Sequence, residues 1–157
     1  MIALLDTTVL SNFALVGRPE LLQSALGETA ATVEEVLAEY QMGVQLGRLP
    51  SFSWTWLQVL EMDEIEHAMS QRLQARLGRG EAACLALASV RGCRVLTDDR
   101  TAREMAMQMG IPVSGTLGLL VRLVDEDHLS FPEADDQLRA MIATGYRSPI
   151  TSLTEIM

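Results

Sequence analysis

Four acidic stations in this chain fall where short apolar runs end or helices begin: Asp6, Glu39, Glu81 and the pair Asp98-Asp99. Asp6 follows Ile2-Ala3-Leu4-Leu5 and opens Asp6-Thr7-Thr8-Val9-Leu10-Ser11-Asn12. Asp98 and Asp99 follow Cys93-Arg94-Val95-Leu96-Thr97. An acid just past the carboxyl end of a buried strand lies at the mouth of an open α/β sheet, where such sheets bind ligands. Carboxylates gathered there repel one another unless a cation sits between them. Oxygen-only sites of that kind suit Mg²⁺ or Mn²⁺. The chemistry implied is metal-dependent phosphoryl transfer, with nuclease action as the leading reading.

Each acid also has a plainer explanation. Asp6 could serve only as a helix N-cap, although Thr7 and Thr8 are alternative caps. Glu39, in Val36-Leu37-Ala38-Glu39-Tyr40, competes with Glu34 and Glu35. Glu35 and Glu39 are one helical turn apart, so either can be the second acid. Glu81 sits in Gly78-Arg79-Gly80-Glu81-Ala82-Ala83, in the first turn of an otherwise apolar helix. The helix dipole favours an acid there, yet so apolar a helix leaves little solvated surface for a charge. Of Asp98 and Asp99, one can cap the next helix while the other faces the cleft, and the sequence leaves open which one meets a metal. His67 and His128 are far apart, and no Cys or His has zinc-ligand spacing. No Gly-x-Gly-x-x-Gly, Walker or Gly-x-Ser-x-Gly motif occurs. Met105, Met107 and Met109 read as core filler.

The elements that must position these acids can be read from apolar spacing and breakers. Residues 2–5 form a strand, and helical patterning runs over 8–15. Pro19 starts a helix over 20–26. A brief strand over 29–32 leads into a helix over 33–46. Residues 54–59 alternate as a strand or irregular edge. Helices follow over 63–77 and 80–90, then a strand over 94–96. A helix over 101–109, a strand over 111–113, and helices over 117–124 and 132–144 complete the pattern, with one last turn in the tail. Alternating strands and helices predict an α/β fold, a three-layer α/β/α domain with a mainly parallel sheet. Residues 1–157 read as one domain, with a C-terminal helical part from about residue 116.

The composition is 48% apolar with a mean hydropathy of +0.18, which excludes a disordered chain. No apolar run reaches the ~18 residues of a membrane span. No basic stretch precedes the first apolar run, so the expectation is a cytoplasmic protein without a signal peptide. Cys84 and Cys93 read as buried free thiols. The net charge is −9, unfavourable for unassisted nucleic-acid binding. Lysine is absent, so every side-chain cation other than His is an arginine. Arg72, Arg76 and Arg79 form one group, and Arg100 and Arg103 another.

With these residues in view, the chain resembles the PIN domain, the fold of metal-dependent ribonucleases that include VapC-type toxins. The resemblance covers essentially the whole chain. Leu5-Asp6-Thr7-Thr8-Val9-Leu10-Ser11-Asn12 is similar to the first acidic motif, Val36-Leu37-Ala38-Glu39 to the second, Glu81 to the third and Thr97-Asp98-Asp99-Arg100 to the fourth. The likeness is strongest to an uncharacterised prokaryotic branch, through Gly80-Glu81-Ala82, Leu96-Thr97-Asp98-Asp99 with Ala102-Arg103, and Gly115-Thr116-Leu117-Gly118-Leu119-Leu120. The resemblance implies a sheet of about five strands and Mg²⁺- or Mn²⁺-dependent hydrolysis of RNA. It implies Asp6, Glu39, Glu81, Asp98 and Asp99 as the catalytic acids, with Asp6, Glu81 and Asp99 on the metal. Thr7, Ser11 and Thr97 would orient water or a carboxylate behind them. It also implies a homodimer and an antitoxin protein as partners. Two other readings stay open: a degenerate PIN domain that binds or regulates without cutting, and an acidic-cluster phosphoacceptor. The second wants an acidic pair after the first strand and a Lys near the sheet's end, and the chain has neither.

Overall fold

A computed structural model describes all residues, 1–157. Five short strands form one sheet: β1 (Ala3–Leu5), β2 (Ala30–Val33), β3 (Gln58–Leu60), β4 (Arg94–Leu96) and β5 (Val113–Ser114). All neighbours are parallel, in the order β3-β2-β1-β4-β5. The central strand β1 is buried throughout and pairs Leu4 with Ala31 on one side and with Val95 on the other. From β1 the chain first builds outward through β2 and β3, then returns to the other side of β1 for β4 and β5. That reversal makes a switch point between the carboxyl ends of β1 and β4, where open α/β sheets form their ligand crevice. Asp6 leaves β1 there, and Thr97-Asp98-Asp99 leave β4.

Eight helices cover the sheet: α1 (Thr7–Leu15), α2 (Glu20–Leu26), α3 (Glu34–Gln45), α4 (Glu64–Leu73), α5 (Arg79–Arg91), α6 (Arg100–Gln108), α7 (Thr116–Asp125) and α8 (Phe131–Ala143). The expected three-layer architecture is therefore present. Helix α5 lies against β1, β2 and β4 and is flanked by α3, α4 and α6. Its residues from Ala82 to Ala88 are all buried. Small side chains let it sit close to its neighbours, and Gly80 sets the limit. A Cβ there would lie 3.0 Å from Val36 Cγ2 and 3.4 Å from Glu39 Oε2. Helices α2, α7 and α8 form a second packed group that reaches α1. Leu, Val and Ala carry most of the core, and Phe13 is its largest fully buried side chain.

Some boundaries differ from the sequence expectation for identifiable reasons. The helix expected over 63–77 stops at Leu73. Asp63 caps it in a reciprocal box with Glu66, and the chain then turns before α5. Of residues 54–59 only Gln58 and Val59 join a strand, which continues to Leu60. Trp54 turns inward instead, edge-on to Tyr40 with ring centroids 5.3 Å apart. The last strand is shifted to 113–114 because Ile111 is drawn into the core. Cys84 and Cys93 are buried free thiols. No helix is long and apolar enough to cross a membrane.

Candidate metal centre

Asp6 is the most enclosed acid of the site, 1% exposed. It occupies the N-cap position of α1, and its Oδ1 accepts the Thr7 backbone N–H at 2.7 Å. Its Oδ2 accepts the hydroxyls of Thr97 at 2.7 Å and Thr8 at 3.2 Å. The capping and cleft readings of Asp6 thus describe one residue. Burial pushes its carboxyl up to about 6, against the opposing effect of hydrogen bonds from Thr97, Thr7 and Thr8. The charge on Glu39 adds to the upward shift.

Glu81 stands in the first turn of α5, half-buried, with Oε2 accepting the Gly78 N–H at 3.3 Å. Burial, then the charges of Asp6, Asp99 and Glu39, push it up to about 7. Glu81 on α5 thus feels the charges of Asp6 after β1, Asp99 at the head of α6 and Glu39 on α3, and Asp6 in turn feels Glu39. Glu39 is the α3 acid felt by both Asp6 and Glu81. Glu35 faces a smaller polar cavity beside His67 and Arg79.

The Asp98-Asp99 pair divides its work in an unexpected way. Asp99 caps α6, accepting the Ala102 N–H at 2.8 Å, and it is also the one whose charge reaches Glu81. Asp98 turns away toward α7. It accepts the Thr116 N–H at 2.8 Å, the Thr116 hydroxyl and the Asn12 amide at 2.8 Å. Asp98 thus acts as a tie between β4, α1 and the start of α7.

Thr97 bridges the site, donating to Asp6 while its oxygen accepts the Asp99 N–H at 3.1 Å. Thr7 supports Asp6 only through its backbone, and its own buried hydroxyl has no hydrogen-bond partner. Ser11 is half-buried on α1. Thr8, Asn12 and Thr116 stand in the sequence motifs but gain their supporting role only in the fold. Thr8 links Asp6 to the Asp98 N–H, which it accepts at 2.9 Å. Thr8 and Asn12 are four residues apart on a mostly apolar helix, and that spacing was the available signal.

The donor set is all carboxylate oxygen, which suits a hard divalent cation. No group of three His, Cys, Asp or Glu side chains is closed around a single point. Mg²⁺ does not require such a cage, because it keeps several waters and takes one or two carboxylates directly. Glu81 Oε1 and Asp99 Oδ1 carry no hydrogen bond from the protein, so each has lone pairs to offer. The residues present fit such an ion as an open, water-completed site.

No curated protein is significantly similar to the chain in sequence. A family model described as a PIN domain matches residues 2–157. That match spans all but the first residue and agrees with the acid-lined switch point of the parallel sheet, so the chain belongs to the PIN-domain family.

Proposed function

We propose that this protein is a metal-dependent endoribonuclease, hydrolysing RNA phosphodiester bonds at the end of β1 and β4. The observation that supports the reading is that acids from four separate elements stand within electrostatic reach of one another, with Glu81 raised by Asp6, Asp99 and Glu39, and Asp6 raised by Glu39. So much negative charge, partly buried, costs stability unless a cation compensates it. Asp6, Glu81 and Asp99 would hold Mg²⁺ or Mn²⁺, which would supply an activated water and neutralise charge on the scissile phosphate. Asp6 is fixed by the Thr97 and Thr8 hydroxyls, so it presents one orientation. Glu81 and Asp99 are held at helix starts by their backbone hydrogen bonds. Glu39 is exposed at the cleft's rim, where it can orient water toward the phosphate.

Purified protein with Mg²⁺ or Mn²⁺ should cleave single-stranded RNA, and EDTA should stop it. Cleavage that persists in EDTA would sink the mechanism. Inactivity on all RNAs tried would favour the degenerate, binding-only PIN domain. The acidic balance of −9 supports a further proposal, that a basic antitoxin protein covers this surface and the chain is the toxin of a pair. Induced expression should then arrest bacterial growth, and Asp6→Asn should relieve the arrest. Growth unaffected by the wild type would refute the toxin role.

A further inference from the structure

Beside the acidic cleft lies a second cavity of about 800 Å³, between α6, the end of β5, the start of α7 and the segment 146–149. Asp98, the chain neighbour of Asp99, lines this cavity. The charge of this cavity runs against that of the molecule. Arg100, Arg103 and Arg147 line it, against only Asp98 and Glu104. Asp98 is occupied by Thr116 and Asn12, and Glu104 pairs with Arg100 at 3.2 Å. Arg103 donates only to the Thr97 carbonyl, at 3.1 Å, and neither it nor Arg147 makes an ion pair. Two guanidinium groups are thus free for an anion in a chain that is otherwise strongly acidic.

The rest of the lining suits a base. Tyr146 is half-buried in the wall, and the exposed Met107 offers apolar surface nearby. Burial, then the charge of Asp98, push the Tyr146 hydroxyl above its ordinary range, so it remains a neutral donor. Glycine keeps the backbone wall bare at Gly115 and Gly118. A Cβ on the first would collide with Asp98 Oδ1, and one on the second with Ser114 Oγ. The volume falls within the range of small-molecule sites.

We propose that this cavity binds a nucleotide of the single-stranded RNA substrate, next to the nucleotide held at the acidic cleft. Arg103 and Arg147 take its phosphate, as guanidinium forks do, and Tyr146 stacks on its base. The assignment rests on the ribonuclease reading for the identity of the strand. Arg147 is placed here as a substrate contact, so its loss is read as affinity.

The test is fluorescence anisotropy with a short fluorescein-labelled oligoribonucleotide of mixed sequence, in the Asp6→Asn background with Mg²⁺ present. Arg147→Gln and Tyr146→Leu should each weaken binding by about tenfold. Arg147→Gln should also make the salt dependence shallower by about one phosphate contact, while Tyr146→Leu leaves that slope unchanged. Affinity equal to the parent in both variants overturns the proposal, as does a parent that binds no oligonucleotide. Adenosine 5′-monophosphate is the second probe, read by NMR at Tyr146. Displacement of the mononucleotide by the oligonucleotide supports the strand assignment. A mononucleotide that the oligonucleotide does not displace makes this a free-nucleotide site and overturns it. Cleavage is not needed for either arm, so a wild-type protein that cuts no RNA counts against the ribonuclease reading alone.

Discussion

Asp6 and Glu81 carry the energetic tension of this molecule. Both carboxyls are raised above their ordinary values, to about 6 and about 7, chiefly by burial and then by their acidic neighbours. A carboxyl whose folded pKa is raised stabilises the fold fully below its unfolded value, here 3.8 and 4.5. That contribution is lost as pH rises through the folded value. Metal-free protein should therefore lose thermal stability between about pH 4 and pH 8, as the two groups ionise against one another. Mg²⁺ should raise the melting temperature more at pH 8 than at pH 5, because only ionised carboxylates bind it well. Melting curves with and without Mg²⁺ at both pH values measure this, and an equal shift at the two would count against Asp6 and Glu81 as ligands. Asp6→Asn keeps size and removes a buried charge, so without metal it should melt no lower than wild type. The same change should cut RNA cleavage by roughly a thousandfold, several kcal/mol of lost charge stabilisation. Asp99 separates two roles more sharply. Asn is as good an N-cap as Asp, so Asp99→Asn should preserve α6 and the melting temperature while weakening Mg²⁺ binding in calorimetry. Unchanged Mg²⁺ affinity would leave Asp99 as a cap alone.

At the scale of elements, the site depends on how the starts of α1, α5, α6 and α7 are held together. Asp98 ties the end of β4 to Thr116 at the head of α7 and to Asn12 on α1. Asp98→Ala would strand the buried Thr116 and Asn12 groups. It should cost about 1–3 kcal/mol of unfolding free energy in a urea titration, with a smaller effect on Mg²⁺ affinity than Asp99→Asn. The reverse ranking would place Asp98 on the metal. Gly115→Ala tests the same junction by volume. The new methyl would collide with Asp98 Oδ1 and stand 2.9 Å from Arg103 Nη1 and 3.0 Å from the Thr97 carbonyl. Because one of these neighbours is backbone, the clash cannot be relieved by side-chain rotation alone, and about 1–3 kcal/mol of destabilisation is expected. A neutral Gly115→Ala would mean that α7 can slide away from β4 freely. These ties explain why the sequence exposed the acids before their supports. Asp6, Glu81 and Asp99 stand at strand and helix boundaries that apolar spacing marks. The Asp98 partner Thr116 lies eighteen residues farther on, and only the parallel pairing of β4 with β5 brings it near.

For the molecule as a whole, the distribution of exposed apolar side chains decides where a second copy can dock. The family resemblance carries an expectation of a homodimer, and the apolar sequence of 117–124 and 20–26 directs that expectation to those two helices. In the fold those two helices pack on each other, and Leu119, Leu120 and Leu123 are buried, so they leave little apolar surface for a partner. Large exposed apolar residues lie elsewhere, among them Met42 on α3, Leu46 just past its end, Phe52 in the following loop and Val59 on the edge strand β3, with Ile65, Val90 and Met107 on other helices. A dimer should therefore bury Met42 and Leu46, one helical turn apart. Light scattering should give twice 17.2 kDa for the wild type, and Met42→Glu with Leu46→Glu should return it to monomer. A wild-type monomer, or a dimer indifferent to both changes, would refute that surface. The sequence by itself determined the α/β class, the near-complete order of elements and the placement of Asp6, Glu81 and Asp99 at strand ends and helix starts, because hydrophobic period, glycine breaks and strand-end placement are local properties. Tertiary structure alone decided that Asp98 is tied to Thr116 and Asn12 while Asp99 heads α6, and that Glu35 faces the cavity beside His67 and Arg79. It also turned Trp54 inward and assembled the arginine-lined cavity. Those outcomes depend on the direction a side chain takes across contacts between segments distant in sequence. In this chain the strand order β3-β2-β1-β4-β5 sets those contacts.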